Sequence, residues 1–131
     1  MLYEWLRDYQ KLEDEIAFIE FNLDRSEREL KRWVEGDLVG VKLSNDSNGA
    51  KLEESIEKIK VELQCKREDL VKLIELIGTF RGLEHKILKL KYINGMTLEN
   101  IANELNYSSQ YIYNKHAQIK RMIDYAQSTS V

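Results

Sequence analysis

Apolar residues return with a seven-residue rhythm along the first part of the chain. Leu2, Tyr9, Ile16, Leu23 and Leu30 stand seven apart, and Trp5, Leu12, Ile19, Ser26 and Trp33 form a second series three residues further on. All but Ser26 are apolar, which places one narrow seam along a helix of about thirty residues. Phe18 and Phe21 fall off the seam and broaden the stripe near its middle, while Asp8, Lys11, Asp14, Glu15, Arg25 and Glu27 mark a solvated face. The pattern stops at Glu35-Gly36, and the polar cluster 44–49 (SNDSNG) has the composition of a flexible loop. A connection over about 35–50 follows, with Leu38, Val39, Val41 and Leu43 leaving the conformation of 36–50 open.

The rhythm resumes near Ala50. Leu52, Ile59, Lys66, Leu73 and Phe80 form one series and Ile56, Leu63, Leu70 and Ile77 the other, with Lys66 the single polar member. Two long amphipathic helices joined by a short loop predict an all-α fold whose residues 1–80 make a coiled-coil-like antiparallel hairpin. One hairpin leaves much of its apolar surface wet, so the seam residues Trp5, Tyr9, Leu12, Ile16, Ile19, Leu23 and Trp33 are expected to join copies of the chain. A homodimer with a four-helix core is the simplest form, with a higher homo-oligomer as the variant. In the competing arrangement the C-terminal helices cover this surface in a monomer.

From residue 81 the period changes. Gly78 and Gly82 punctuate the chain, and a third helix carries Leu83, Ile87 and Leu90 through Lys91-Tyr92-Ile93. Asn94-Gly95 is a helix stop, since both types tolerate the left-handed conformation. Thr97 predicts an N-cap for a helix over 98–105, Asn106 ends it, and Ser108 caps a longer helix over 108–126. These lengths match a helix-turn-helix in a domain spanning 81–131. Ile101 and Leu105 fit its inner face, Ala102 a close helix crossing, and Ile112, His116, Ile119 and Ile123 the inner stripe of the second helix.

The outward face of that helix carries short or amide-bearing residues, Ser109, Gln110, Tyr113 and Asn114, where an ordinary solvated face carries Glu and Lys. Amides pair with adenine N6/N7, hydroxyls donate or accept, and a tyrosine ring can meet a thymine methyl. Lys91, Lys115, Lys120 and Arg121 supply charge for the phosphate backbone, with Thr97 and Ser108 as hydroxyl partners. The whole chain carries a net charge of −3, but the balance is uneven. Residues 1–80 hold 13 basic and 19 acidic side chains, and residues 81–131 hold 7 and 4. The second part is therefore the one suited to nucleic acid.

The stretch Leu88-Lys89-Leu90-Lys91-Tyr92-Ile93-Asn94-Gly95-Met96-Thr97-Leu98-Glu99-Asn100-Ile101-Ala102 resembles the DNA-binding fourth region of bacterial sigma factors. Asn106-Tyr107-Ser108 followed by Ile112, Tyr113 and His116 is similar to small late-gene transcriptional activators of phages of Gram-positive bacteria, the RinA and ArpU type. In layout the likeness covers the whole chain, and at the level of motifs residues 83–123. The resemblance implies a phage or prophage regulator in a bacterial cytoplasm that reads bases with Ser109, Gln110, Tyr113 and Asn114, with host RNA polymerase as a further candidate partner. Asn100 departs from the Glu of many relatives, and Lys115 stands in a slot that is usually apolar. No counterpart of the sigma regions that bind the −10 element or core polymerase is present, so promoter melting is not expected.

Other chemistry is sparse. His85 and His116 have no acids or thiols at metal spacing, the paired carboxylates lie on outer helix faces, and Cys65 stands alone. No phosphate-cradling glycine loop or nucleophilic triad appears, and neither a cofactor nor an enzymatic activity is expected. No apolar run approaches membrane-spanning length, and Met1-Leu2-Tyr3-Glu4-Trp5 lacks the basic start of a secretion signal, so membrane binding is not expected either. Two further functions fit a helical chain of this kind. One is a phage DNA-packaging subunit like a small terminase, and the other is a coiled-coil adaptor that binds protein without DNA.

Overall fold

A computed structural model describes residues 2–34 and 45–129. The fold is all-helical, with no strand among the described residues. Helices α1 (Leu2–Arg7), α2 (Tyr9–Val34), α3 (Asn45–Thr79) and α4 (Gly82–Leu88) are followed by a π turn over Lys89–Ile93, then by α5 (Leu98–Leu105) and α6 (Ser109–Thr129). Residues 35–44, including the stretch with Leu38 and Val41, lie outside the described residues.

Two boundaries differ from the sequence reading. Helix α3 starts at Asn45, so residues 45–49 are helical and not loop. Asn, Asp and Ser favour turns and the first turn of a helix for the same local reasons, and composition does not separate the two. The third helix closes differently as well. Asn94 N–H bonds Lys89 O at 3.0 Å, an i→i−5 closure that widens the last turn. Apolar spacing over one turn does not distinguish this from regular α-helix.

The chain forms two compact units, one from residues 1–12 and 70–131 and the other from residues 13–69. The boundary read from the sequence, at residue 80, falls within the first of these units. In the first unit, α5 and α6 draw on both ends of the long helices to close their core. Leu6, Leu73, Ile77, Ile87, Leu88, Tyr92, Ile101, Ile112 and Ile119 are all buried in a single cluster. Each such aliphatic side chain contributes about 1.5–3 kcal/mol by leaving water. Helices α5 and α6 alone offer few residues of this kind, so α1, α3 and α4 supply the rest.

Leu6, absent from both heptad series, is fully buried, whereas Trp5 is 50% exposed. The cause lies at Asp8, whose N–H reaches both Glu4 O and Trp5 O at 3.1 Å. The i→i−3 component tightens the turn between α1 and α2 and advances the buried position by one residue. From Tyr9 onward the seven-residue rhythm holds, with Tyr9, Ile16 and Ile19 buried and Leu12, Leu23, Leu30 and Trp33 partly buried.

In the second unit α2 and α3 pair side by side and antiparallel. Glu15 accepts from Lys66 at 2.8 Å, Glu20 stands 3.7 Å from Arg67, and residues 27–34 share a groove with residues 53–60. Ile56 and Leu63 of α3 are buried. Lys66, the polar interruption of its seam, lays a half-buried stem along the helix pair and meets a carboxylate there. The hydrogen bond to Glu15 favours its charged form and raises its pKa.

Candidate nucleic-acid interface

The candidate surface is built by the junction between α5 and α6. Thr97 is extended (φ −74°, ψ 158°), and its Oγ1 accepts from Asn100 N–H at 3.2 Å, which caps α5. Asn106 ends the helix in the left-handed region (φ 63°, ψ 42°). Its N–H bonds the carbonyls of Ala102 and Asn103, and Tyr107 N–H reaches Ala102 O at 2.9 Å. This is the paired C-terminal closure that a left-handed residue permits. Ser108 Oγ then accepts from Tyr111 N–H at 3.1 Å and starts α6.

Ala102, only 1% exposed, belongs to the same core as Ile101, Ile112, Ile119 and Ile123. With these apolar residues turned inward, Ser109, Gln110, Tyr113 and Asn114 are all exposed on the first turns of α6. Gln110 Nε2 donates to Asn114 Oδ1 at 3.0 Å, so the two amides form a linked pair one turn apart. The four candidate base-reading residues thus share one end of one helix.

One group on this surface was not anticipated. Tyr113 O–H donates to the carboxylate of Glu99 in the first turn of α5. That bond lowers the Glu99 pKa, aided by the carboxylate's own backbone N–H and opposed by partial desolvation, and it raises the Tyr113 pKa. The Tyr113 hydroxyl is consequently already engaged, and a negative charge lies at the edge of the amide pair. Glu99 was visible only as a first-turn acid; its partner arrives from another helix, fourteen residues on.

The basic residues lie on α6 and on the π turn. Lys115, in a slot expected to be apolar, is partly buried with Nζ 5.9 Å from the centroid of the Tyr111 ring, which itself stacks on Tyr107 at 5.0 Å. A long stem with a cationic tip satisfies both requirements of that position. Lys120 is exposed with Nζ 4.7 Å from the Tyr3 ring, Lys91 is partly buried 5.7 Å from Tyr92, and Arg121 is exposed. Thr97 and Ser108 use their hydroxyl oxygens as caps.

Behind the surface lies a polar pair that joins α6 to the π turn. Tyr92 Oη and His116 Nε2 are 2.6 Å apart, and the Tyr3 ring stands edge-on to both with centroids at 6.3 Å. Burial first, then the charges of Lys91 and Lys120, lower the His116 pKa to about 4. Burial first, then the Tyr3 hydroxyl, raises that of Tyr92. Both groups are therefore neutral near pH 7, and they share a hydrogen bond whose donor is set by the imidazole tautomer.

The residues expected to join copies of the chain are dispersed. Tyr9 is buried in the first unit with Leu12 packed against its core, and Ile16 and Ile19 are buried in the second. Leu23 and Trp33 are partly buried, and Trp5 is exposed. Cys65 is an exposed free thiol. Among the described residues no cluster of His, Cys, Asp and Glu is placed to hold a metal ion, and no helix is long and apolar enough to cross a membrane. Comparison with protein-family models, with curated proteins and with solved structures finds no match.

Proposed function

We propose that this chain is a non-enzymatic, sequence-specific regulator of transcription that binds double-stranded DNA through α6. The observation that carries this reading is the exposed quartet Ser109, Gln110, Tyr113 and Asn114 on the first turns of a helix whose opposite side is anchored by Ile112, Ile119 and Ile123. A helix of this diameter fits the major groove, and the N-terminal turns of a recognition helix are the part that meets base edges. The turn at Asn106 and the caps at Thr97 and Ser108 give α5 and α6 the local chemistry of a helix-turn-helix. Lys115, Lys120 and Arg121 on the same helix supply phosphate partners.

The likeness of residues 83–123 to sigma region 4 and to phage late-gene activators supports a phage or prophage promoter as the target. Two copies would present their α6 helices to half-sites about 34–36 Å apart, or at multiples of that distance. Glu99 belongs to this mechanism as well. Its carboxylate repels phosphate and orients Tyr113, so it sharpens discrimination against duplexes that approach out of register.

Selection of bound sequences from a random duplex pool with the whole protein tests the proposal. Gln110→Ala or Asn114→Ala is expected to lose about 1–3 kcal/mol on the selected site and to relax one or two base positions. Lys120→Ala is expected to weaken all sequences alike and to lower the slope of affinity against salt by about one. Equal affinity of Gln110→Ala and the natural chain for the selected site would refute the assignment of α6 as reader.

A further inference from the structure

The antiparallel pair in residues 13–69 buries Ile16, Ile19, Ile56 and Leu63 and leaves a second apolar feature uncovered. Phe18 and Phe21 are 71% and 67% exposed, in a unit whose buried positions are otherwise well satisfied. They do not stand alone. Asp14, Phe18, Phe21 and Arg25 are spaced 4, 3 and 4 residues apart, which aligns them as one stripe along α2. Both charged members are exposed, and neither takes part in an ion pair among the described residues.

The order acid, ring, ring, base is self-complementary. When a second α2 is laid antiparallel across the first, with a two-fold axis between Phe18 and Phe21, every member meets a suitable partner. Phe18 faces the other copy's Phe21, and Asp14 faces the other copy's Arg25, each twice. Arg28, the next cation outward, is already held by Asp24 at 3.1 Å and adds little repulsion.

We propose that a second copy of this chain docks on this stripe, forming an isologous dimer through Phe18 and Phe21 with two Asp14–Arg25 pairs at its rim. The area is of the right order. Side chains of this size present about 200 Å² each, so the exposed parts of four rings supply about 550 Å². That is roughly half of the ~1,000 Å² a specific interface requires, and the flanking turns of two helices make up the remainder. This dimer differs from one through the heptad seam, whose residues Ile16 and Ile19 are buried inside a single chain. It stands independently of the DNA reading, because it uses no residue of α5 or α6.

Sedimentation equilibrium of the whole protein without DNA tests the inference. The natural chain is expected at twice its 15.5 kDa mass. The double variant Phe18→Ser/Phe21→Ser is expected at the single mass with unchanged helicity, since both rings are exposed in one chain. Asp14→Arg and Arg25→Asp are each expected to raise the dimer dissociation constant about tenfold, by turning two attractive rim pairs into repulsive ones. Mixing these two variants restores both pairs and is expected to return dimer at the natural affinity. A natural chain that stays at 15.5 kDa up to about 100 μM overturns the proposal. So does a dimer that survives loss of both rings, or a mixture no tighter than either variant alone.

Discussion

Acid is expected to loosen the first unit through His116. The neutral ring is hydrogen-bonded to Tyr92 Oη at 2.6 Å, and burial together with Lys91 and Lys120 holds its pKa at about 4 against an ordinary 6.5. Between these two pH values the unfolded chain binds a proton that the folded chain refuses, so stability rises with pH across this window. The contribution of His116 is complete above about pH 6.5, is lost progressively as pH falls toward 4, and changes no further below that. The difference corresponds to at most about 3.5 kcal/mol at roughly 1.4 kcal/mol per pH unit. The ring is only partly buried, and solvent screening brings the expected loss to on the order of 1–2 kcal/mol. Urea unfolding followed by circular dichroism at successive pH values measures it. The natural chain is compared with His116→Gln, whose amide can donate to or accept from Tyr92 Oη and does not titrate. Carboxylates titrate in both proteins, so the difference between the two stability curves isolates the imidazole. That difference is expected to move by about 1–2 kcal/mol against the natural chain between pH 7 and pH 4. Parallel curves, or an imidazole that titrates near 6.5 by NMR, would refute the reasoning.

Three further expectations concern the fold. Gly95 has φ +74°, and a Cβ there would lie 2.7 Å from Gln10 Nε2, which donates to Ile93 O at 3.0 Å. Gly95→Ala is expected to cost about 2 kcal/mol by urea unfolding, part from the left-handed backbone and part from the displaced amide. Combining it with Gln10→Ala should recover none of the backbone part. At Asn106 (φ 63°), Asn106→Val is expected to destabilise by about 1–2 kcal/mol and Asn106→Gly to stay within about 0.5 kcal/mol of the natural chain, because a β-branched side chain resists the left-handed region strongly and glycine does not. Ile101→Ala, at a fully buried site, is expected to cost about 2–5 kcal/mol in the same measurement and to reduce DNA affinity by unseating α6.

What was legible in the sequence is local. The seven-residue rhythm announced the long helices, and Thr97, Asn106 and Ser108 announced the caps and the left-handed turn, because each of these signals acts within a few residues of chain. The exposure of Ser109, Gln110, Tyr113 and Asn114 followed from the same periodicity, once Ile112 and Ile119 were placed inside. The misplaced start of α3 has a local cause too, since loops and helix starts draw on the same polar residues.

Tertiary structure alone decided the rest. A seven-residue pattern declares that a face is apolar without saying what covers it, and so Tyr9, expected at a contact between chains, is buried in the core of its own chain with Leu12 packed against it. A tightened turn at Asp8 moved the buried position from Trp5 to Leu6 by one residue, a change that leaves no mark in composition. The pairs Tyr113–Glu99 and Tyr92–His116 join side chains 14 and 24 residues apart on different elements. Spacing along a helix governs which residues share a face, but meetings between helices depend on how the helices pack. The helices and the exposed polar face of α6 were therefore written in the order of the residues, while the hydroxyl partners and the neutral histidine emerged only when the chain closed on itself.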